Sequence, residues 1–222
     1  NVNWLGDVLF STAALRNIRY NFSDSYIACI VPPRCYPVLK GNPHLDEIIV
    51  FDEKDIHRSL ASKVRFILKL KNKNFDTVFL FHRSLTRALI TFLAGIPERI
   101  GYSTPKRQFL LTKKIPLAGK DSCHRIDYYL GLIEKAGLRV EDRYLEFFIE
   151  EKDQNFIDEF LKTHHISKAD FLVGINPGGN WLPKRWPKDY FARLCDRLIQ
   201  DFQAKVVLLG AESDRDLAKD II

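Results

Sequence analysis

With 46% apolar and 28% charged residues in 222, the chain has the composition of an ordinary globular protein with material for more than one core, which excludes the disordered and fibrous classes. Its net charge of +6 is uneven: residues 1–150 carry 23 basic and 16 acidic side chains, a net +7, and the remainder 11 and 12, a net −1. No apolar run approaches the roughly 20 residues that cross a bilayer and no signal-peptide pattern is present, so the default compartment is the cytoplasm.

In chain order, the loop Asn3-Trp4-Leu5-Gly6-Asp7 leaves a first strand, of which Val2 is the remnant, and enters a helix over Val8–Tyr20. Strands follow at Tyr26–Val31 and Ile48–Phe51, then a helix at Ile56–Leu70 and a strand at Thr77–Phe81. A helix at Leu85–Ala94 stops at Gly95-Ile96-Pro97, and one at Arg125–Ala136 stops at Gly137, both with the turn chemistry expected of a helix end. Tyr144–Ile149 reads as a further strand and Asp153–Thr163 as a helix. The strand Phe171–Ile175, the helix Lys188–Gln200, the strand Lys205–Leu209 and a helix from Ser213 complete the pattern. The strands are near-continuous apolar runs, as strands covered on both faces should be, and they alternate with amphipathic helices. That predicts an α/β protein with parallel sheets. The polar segment His164–Asp170 places a domain boundary between residues 1–165 and 166–222.

Cys29, Cys35, Cys123 and Cys195 form no CxxC pair, a spacing that suits neither a zinc site nor a disulfide framework and reads as buried reduced thiols. The chain has no methionine and stops at Ile221-Ile222 inside a helical pattern, so it is expected to be a fragment.

Three loops have the composition for chemistry. In the first, Asp7 has two compatible readings: an N-cap whose carboxylate accepts orphan backbone N–H groups, and a general base at the carboxyl end of a strand, where open α/β sheets bind ligands. In the second, Asn176–Pro187 (NPGGNWLPKRWP), Gly178 and Gly179 let backbone approach a ligand while Lys184 and Arg185 add charge beside a helix N-terminus, which together suit a diphosphate held without a metal. In the third, Gly210–Asp216 (GAESDRD), Glu212 is placed to reach ribose hydroxyls, whereas Asp214-Arg215-Asp216 formally reads as DxD but is better explained by capping of the next helix. No metal is expected. No GxGxxG, P-loop, GxSxG or HExxH is present, so nicotinamide, ATPase, serine-hydrolase and zinc-protease readings have no support.

From Arg99 to Arg125 the basic residues Arg99, Lys106, Arg107, Lys113, Lys114, Lys120 and Arg125 stand against one acid, Asp121. The tract suits an anionic partner or a solvated basic face; nucleic acid is the weaker reading, because no recognition motif accompanies the charge. His82 and His124 are either cleft residues or structural histidines.

The stretches WLGDVLFSTAALRNI, NPHLDEIIVFD, RALITFLAGIPERIGY and NPGGNWLPKRWPKDYFARL resemble, in order and over the whole chain, the heptosyltransferases of glycosyltransferase family 9, the last stretch being most similar to members that add the second inner-core heptose of lipopolysaccharide. The resemblance implies a GT-B architecture of two Rossmann-like domains, the second truncated here, with acceptor on the first and ADP-heptose on the second across an interdomain crevice. It implies an inverting transfer that needs no metal or other cofactor, Asp7 acting as base, Lys184 holding the donor phosphates and Glu212 contacting the ribose. Gly6, His82, Arg83, Arg107 and His124 are then the candidate acceptor contacts, and Gly178, Gly179 and Arg185 accompany Lys184. The acceptor would be an anionic inner core at the inner face of a membrane, which suits a basic first domain and allows peripheral membrane contact, although no amphipathic membrane helix stands out. A later glycine-rich segment of the family pattern is not in this sequence, so the fragment is expected to be inactive. A GT-B transferase using a different sugar nucleotide and a non-catalytic module for anionic glycans remain as alternatives.

Overall fold

The structure is a computed structural model that describes residues 2–117, 124–179 and 181–222. The chain divides into compact units Asn1–Ile149 and Glu150–Ile222. The division falls before the helix at Glu151–Thr163 rather than after it, as the polar segment His164–Asp170 had suggested. That helix buries none of its residues, so it adds nothing to the first core.

The first unit contains α1 (Leu5–Asn21), β1 (Ala28–Val31), α2 (Tyr36–Leu39), β2 (Glu47–Val50), α3 (Leu60–Lys71), β3 (Thr77–Leu80), α4 (Leu85–Leu93), β4 (Glu98–Tyr102), β5 (Lys113–Ile115) and α5 (Arg125–Lys135). β1 pairs with β2, Ala28 opposite Glu47, and β3-β4-β5 form a second sheet, Thr77 opposite Glu98 and Ile100 opposite Lys113. Every pairing is parallel, as the apolar strands predicted. β1 and β3 line a largely apolar cavity of about 460 Å³, with Cys29, Ile30, Val78 and Leu80 among its walls. α1 and α5 pack together in one core with Val31, Ile100 and Ile115. α3 and α4 supply Phe66, Leu70, Ile90 and Ala94 to another, with Ile49 and Phe51.

The second unit contains α6 (Glu151–Thr163), β6 (Leu172–Ile175), α7 (Lys188–Phe202), β7 (Lys205–Leu208) and α8 (Arg215–Ile221), with β6 parallel to β7 and Leu172 opposite Lys205. Its core is small and centres on Ile175, Cys195 and Ile221.

Several expected boundaries move for identifiable reasons. α3 begins at Leu60, not Ile56, because the Ser59 hydroxyl accepts the Ser62 N–H at 3.1 Å, while the residues before it are committed to a turn closed by His57 N–H on Asp52 O. β4 and β5 escape the apolar pattern, since ERIGY opens with two charges and KKI has only three residues; β4 exists because β3 offers it a parallel edge, and β5 because β4 does. The strand expected at Tyr144–Ile149 is absent. Its backbone is satisfied by side chains of α1 instead: Thr12 Oγ1 accepts Glu146 N–H at 3.0 Å and the Arg16 guanidinium donates to Tyr144 O at 3.0 Å. Just upstream, Asn17 Oδ1 accepts Glu141 N–H at 2.6 Å. Arg16 also pairs with Asp142 and Glu146. The two predicted glycine stops hold, with Gly95 at φ 77° and Gly137 at φ 93°, where a Cβ would be strained. Cys29, Cys35 and Cys195 are buried free thiols, and burial pushes those of Cys35 and Cys195 up; Cys123 lies outside the described residues.

Arg107 is fully buried, at 0% exposure, and donates to Tyr102 O through Nε (3.1 Å) and Nη2 (2.7 Å) and to His82 O through Nη1. It is a strut between β4 and the end of β3, not the acceptor contact expected of it. Arg107→Met, which fills the space but leaves both carbonyls unpaired, is expected to destabilise the first unit by about 3 kcal/mol in denaturant unfolding.

Candidate functional site

Asp7 is the third residue of α1, whose N-cap is Trp4, so the capping reading of Asp7 is not realised. Its carboxylate is 23% exposed; Oδ1 accepts a hydrogen bond from the Tyr129 hydroxyl at 3.3 Å and lies 3.5 Å from Arg125 Nε. The negative charge therefore sits at the positive end of the α1 dipole with a guanidinium beside it. Burial, and then the charge of Asp7, push the Tyr129 hydroxyl well above the usual tyrosine range, so it stays a proton donor. Tyr129 is itself held edge-on to Phe81, ring centroids 5.4 Å apart.

The loop that delivers α1 is anchored from two sides. Arg87, buried beneath it, donates to Asn3 Oδ1 at 2.8 Å, while Arg34 donates to Asn3 O at 2.8 Å and lies over the Trp4 ring. Gly6 occupies the second position of α1, where an added Cβ would meet nothing within 4 Å. The protein itself therefore does not require glycine there.

Arg83 and Arg125 each lie 6.0 Å from the centroid of the Tyr128 ring, so two guanidiniums gather around one aromatic ring, Arg125 also lying beside Asp7. Arg83 thus keeps its place among the candidates and Arg125 joins it. His124 caps α5, its Nδ1 accepting Ile126 N–H at 3.3 Å, with its ring edge-on to Phe10. His82 closes the turn into α4, its Nδ1 accepting Ser84 N–H at 3.1 Å. Both histidines therefore have structural duties, and the ring edge of neither is committed to Asp7. Of the seven cations between Arg99 and Arg125, Arg99 and Lys113, like Arg107, are spent on backbone carbonyls, which removes much of the apparent anion-binding tract. Lys120 lies outside the described residues.

In the second unit Asp214 ties the two loops together. Its Oδ2 accepts Ala211 N–H at 3.1 Å and its Oδ1 receives Arg185 Nη2 at 3.3 Å, while Arg185 Nε donates to Gly179 O at 2.7 Å. Arg185, expected to hold phosphate, is thus a brace between the glycine loop and the loop after β7. Gly178 packs tightly on Asp214: a Cβ there would stand 2.5 Å from Asp214 Oδ2, so the carboxylate would have to move. The Gly178 N–H is also taken, by Asn176 Oδ1 at 3.2 Å. Lys184 is exposed, with its ammonium 5.1 Å from the Trp181 ring centroid, and it remains the cation of this loop not tied to a carboxylate among the described residues. Glu212 is exposed and pairs with Arg215 at 2.9 Å.

Tyr129 and Tyr128 were not singled out from the sequence, and Asp214 was read there only as a helix cap. A signal existed for Tyr129, because the i,i+4 spacing from Arg125 sets both on one face of α5. The bracing role of Asp214 had no such signal, since its partner Arg185 lies 29 residues away in another loop.

Gly178→Ala is expected to destabilise the second unit by about 1–3 kcal/mol, because Asp214 must give up its bonds to Ala211 and Arg185; thermal unfolding checks this. His82 offers a pH test. Burial, then the charges of Arg87 and Arg107, hold its pKa below the usual histidine value, so its contribution is complete above about pH 6.5 and is lost as pH falls through the folded value. His82→Asn, which retains an acceptor for Ser84 N–H, should flatten the acid limb of a Tm-against-pH curve.

The model of the family described as glycosyltransferase family 9 (heptosyltransferase) matches residues 63–221. Lipopolysaccharide heptosyltransferase 2 of Escherichia coli (strain K12) is 24% identical over 228 residues, and lipooligosaccharide heptosyltransferase 2 of Haemophilus influenzae 25% identical, each alignment covering 99% of this chain and 64% of the relative. The chain thus spans just under two thirds of the length of these relatives. Among solved structures, a family 9 glycosyl transferase from Veillonella parvula superposes with a TM-score of 0.91 at 26% identity, over 99% of this chain and 64% of that one. The E. coli ADP-heptose lps heptosyltransferase II shares the fold with a TM-score of 0.79 at 22% identity, over 100% and 66%. With a family match extending over well more than half of its residues, the chain belongs to glycosyltransferase family 9.

Proposed function

We propose that the protein transfers a heptose from ADP-heptose to the inner core of lipopolysaccharide, with inversion at the anomeric carbon and without a metal. Its architecture is then GT-B, with the acceptor on the first unit, the donor on the second and the remainder of the donor domain supplied by the part of the relatives' length that this chain does not span. Asp7 carries the reading: a charged, one-quarter-exposed carboxylate at the head of a buried helix, steadied by one hydroxyl and one guanidinium and otherwise accessible.

In the reaction, Asp7 takes the proton of the acceptor hydroxyl as that oxygen bonds to the anomeric carbon. The bond from that carbon to the β-phosphate oxygen breaks, and its electron pair leaves with ADP. Lys184 and the Gly179 backbone meet the growing charge on the diphosphate. Glu212 contacts the ribose. Arg83 and Arg125 hold acidic groups of the acceptor, and the excess of positive charge in the first unit steers it toward them. Transfer of this kind takes place at the cytoplasmic face of the membrane that holds the acceptor.

The test uses the full-length protein. Asp7→Asn should lower kcat by roughly 100-fold or more with an unchanged melting temperature. Turnover close to wild type would remove the general-base role. Lys184→Ala should weaken ADP binding by about 1.5–3 kcal/mol in calorimetry. Saturation by UDP- or GDP-sugars in preference to ADP-heptose would transfer the assignment to another sugar nucleotide.

A further inference from the structure

α3 and α4 lie side by side and bury one face each, through Phe66 and Leu70 on α3 and Ile90 on α4, in a single core. Their opposite faces are apolar as well. On α3 the four-residue spacing of Leu60, Val64 and Leu68 makes one stripe, and these side chains are 80%, 47% and 53% exposed. On α4 the stripe is Leu85, Leu89 and Phe92, at 43%, 41% and 47%.

The charges carried by α3 and α4 themselves have one sign. From Ile56 to Phe75 the chain holds six basic residues and no acid, and from Thr77 to Pro97 it again holds no acid. At 100° per residue Lys71 falls on the Leu60-Val64-Leu68 stripe and Arg65 flanks it. Among the described residues no carboxylate forms an ion pair with either. Aliphatic side chains projecting between unpaired long cations are what an interfacial helix presents to a bilayer, the leucines entering the acyl boundary while the cations reach anionic headgroups. Among the described residues no helix is long and apolar enough to cross a membrane, so the contact is of the lying kind.

We propose that the joint outer face of α3 and α4 docks the protein on an anionic lipid bilayer. A second copy of the chain is a poorer occupant, because pairing two such faces opposes cation to cation with no acid to answer them. Nucleic acid is poorer still, because leucine and valine stripes offer bases no stacking platform. Docking does not depend on which sugar is transferred, and it is measured without donor or acceptor.

The experiment is flotation with vesicles of phosphatidylethanolamine and phosphatidylglycerol, compared with vesicles of phosphatidylcholine alone. The protein should float with the anionic vesicles, and less so as salt rises. The double variant Leu60→Ser, Leu68→Ser should lower binding by roughly tenfold or more through the apolar side chains lost. The double variant Arg65→Glu, Lys71→Glu should do so too, at roughly fivefold per cation removed. Both pairs are exposed, so each variant should keep the wild-type melting temperature. Equal binding to both kinds of vesicle, no binding to either, or binding that neither pair reduces would overturn the proposal. So would a concentration-dependent dimer that the leucine pair abolishes, which would assign the face to a second copy.

Discussion

The middle of helix α1 is enclosed on all sides, and the first unit is organised by that enclosure. Eight consecutive residues, Ser11 to Ile18, are buried, which an amphipathic surface helix never achieves. Small side chains make it possible. Ser11 and Thr12 turn their hydroxyls back to the carbonyls of Val8 and Leu9, and Ala13 and Ala14 admit close neighbours. Arg16 and Asn17, polar and buried, then serve the irregular segment after α5 as a strand partner would, supplying donors and acceptors to its backbone. The Arg16 pairing with two carboxylates contributes specificity of docking more than net stability, given the cost of desolvating three charges.

One consequence is that the head of α1 cannot drift. Its N-terminal loop is pinned by Arg87 and Arg34, its body is locked by α5 and the 140s segment, and Tyr129, reaching from α5, meets Asp7 directly. In the proposed role of general base, a carboxylate held this way would have little reorganisation left when it accepts a proton. The second unit solves the equivalent problem with one residue. Asp214 braces the glycine turn through Arg185 and packs against Gly178, while Lys184 stays exposed.

The positive charge of the first unit divides by burial into three uses. Arg107, Arg99 and Lys113 hold backbone carbonyls, Arg83 and Arg125 collect around Tyr128 with Arg125 beside Asp7, and the cations of α3 flank exposed leucines on a helix that packs in a different core from α1 and α5. A single sum of charge hides this separation, because each arginine's role depends on what its guanidinium reaches.

The alternation of apolar runs and helical segments by itself determined the α/β class, the parallel pairing, most helices and the two glycine stops, because these rest on local periodicity and on the conformational freedom of glycine. The motif residues Asp7, Gly178 and Lys184 were visible for the same reason: each sits in a short loop whose composition is unusual. Only the tertiary structure decided which cations are structural, since Arg107 and Arg125 look alike in the basic tract and differ in that one is sealed between carbonyls and the other meets Asp7. It likewise decided that β4 and β5 are strands and that Tyr144–Ile149 is not, because a backbone pairs with whatever donors and acceptors lie alongside it, and those come from residues far away in the chain.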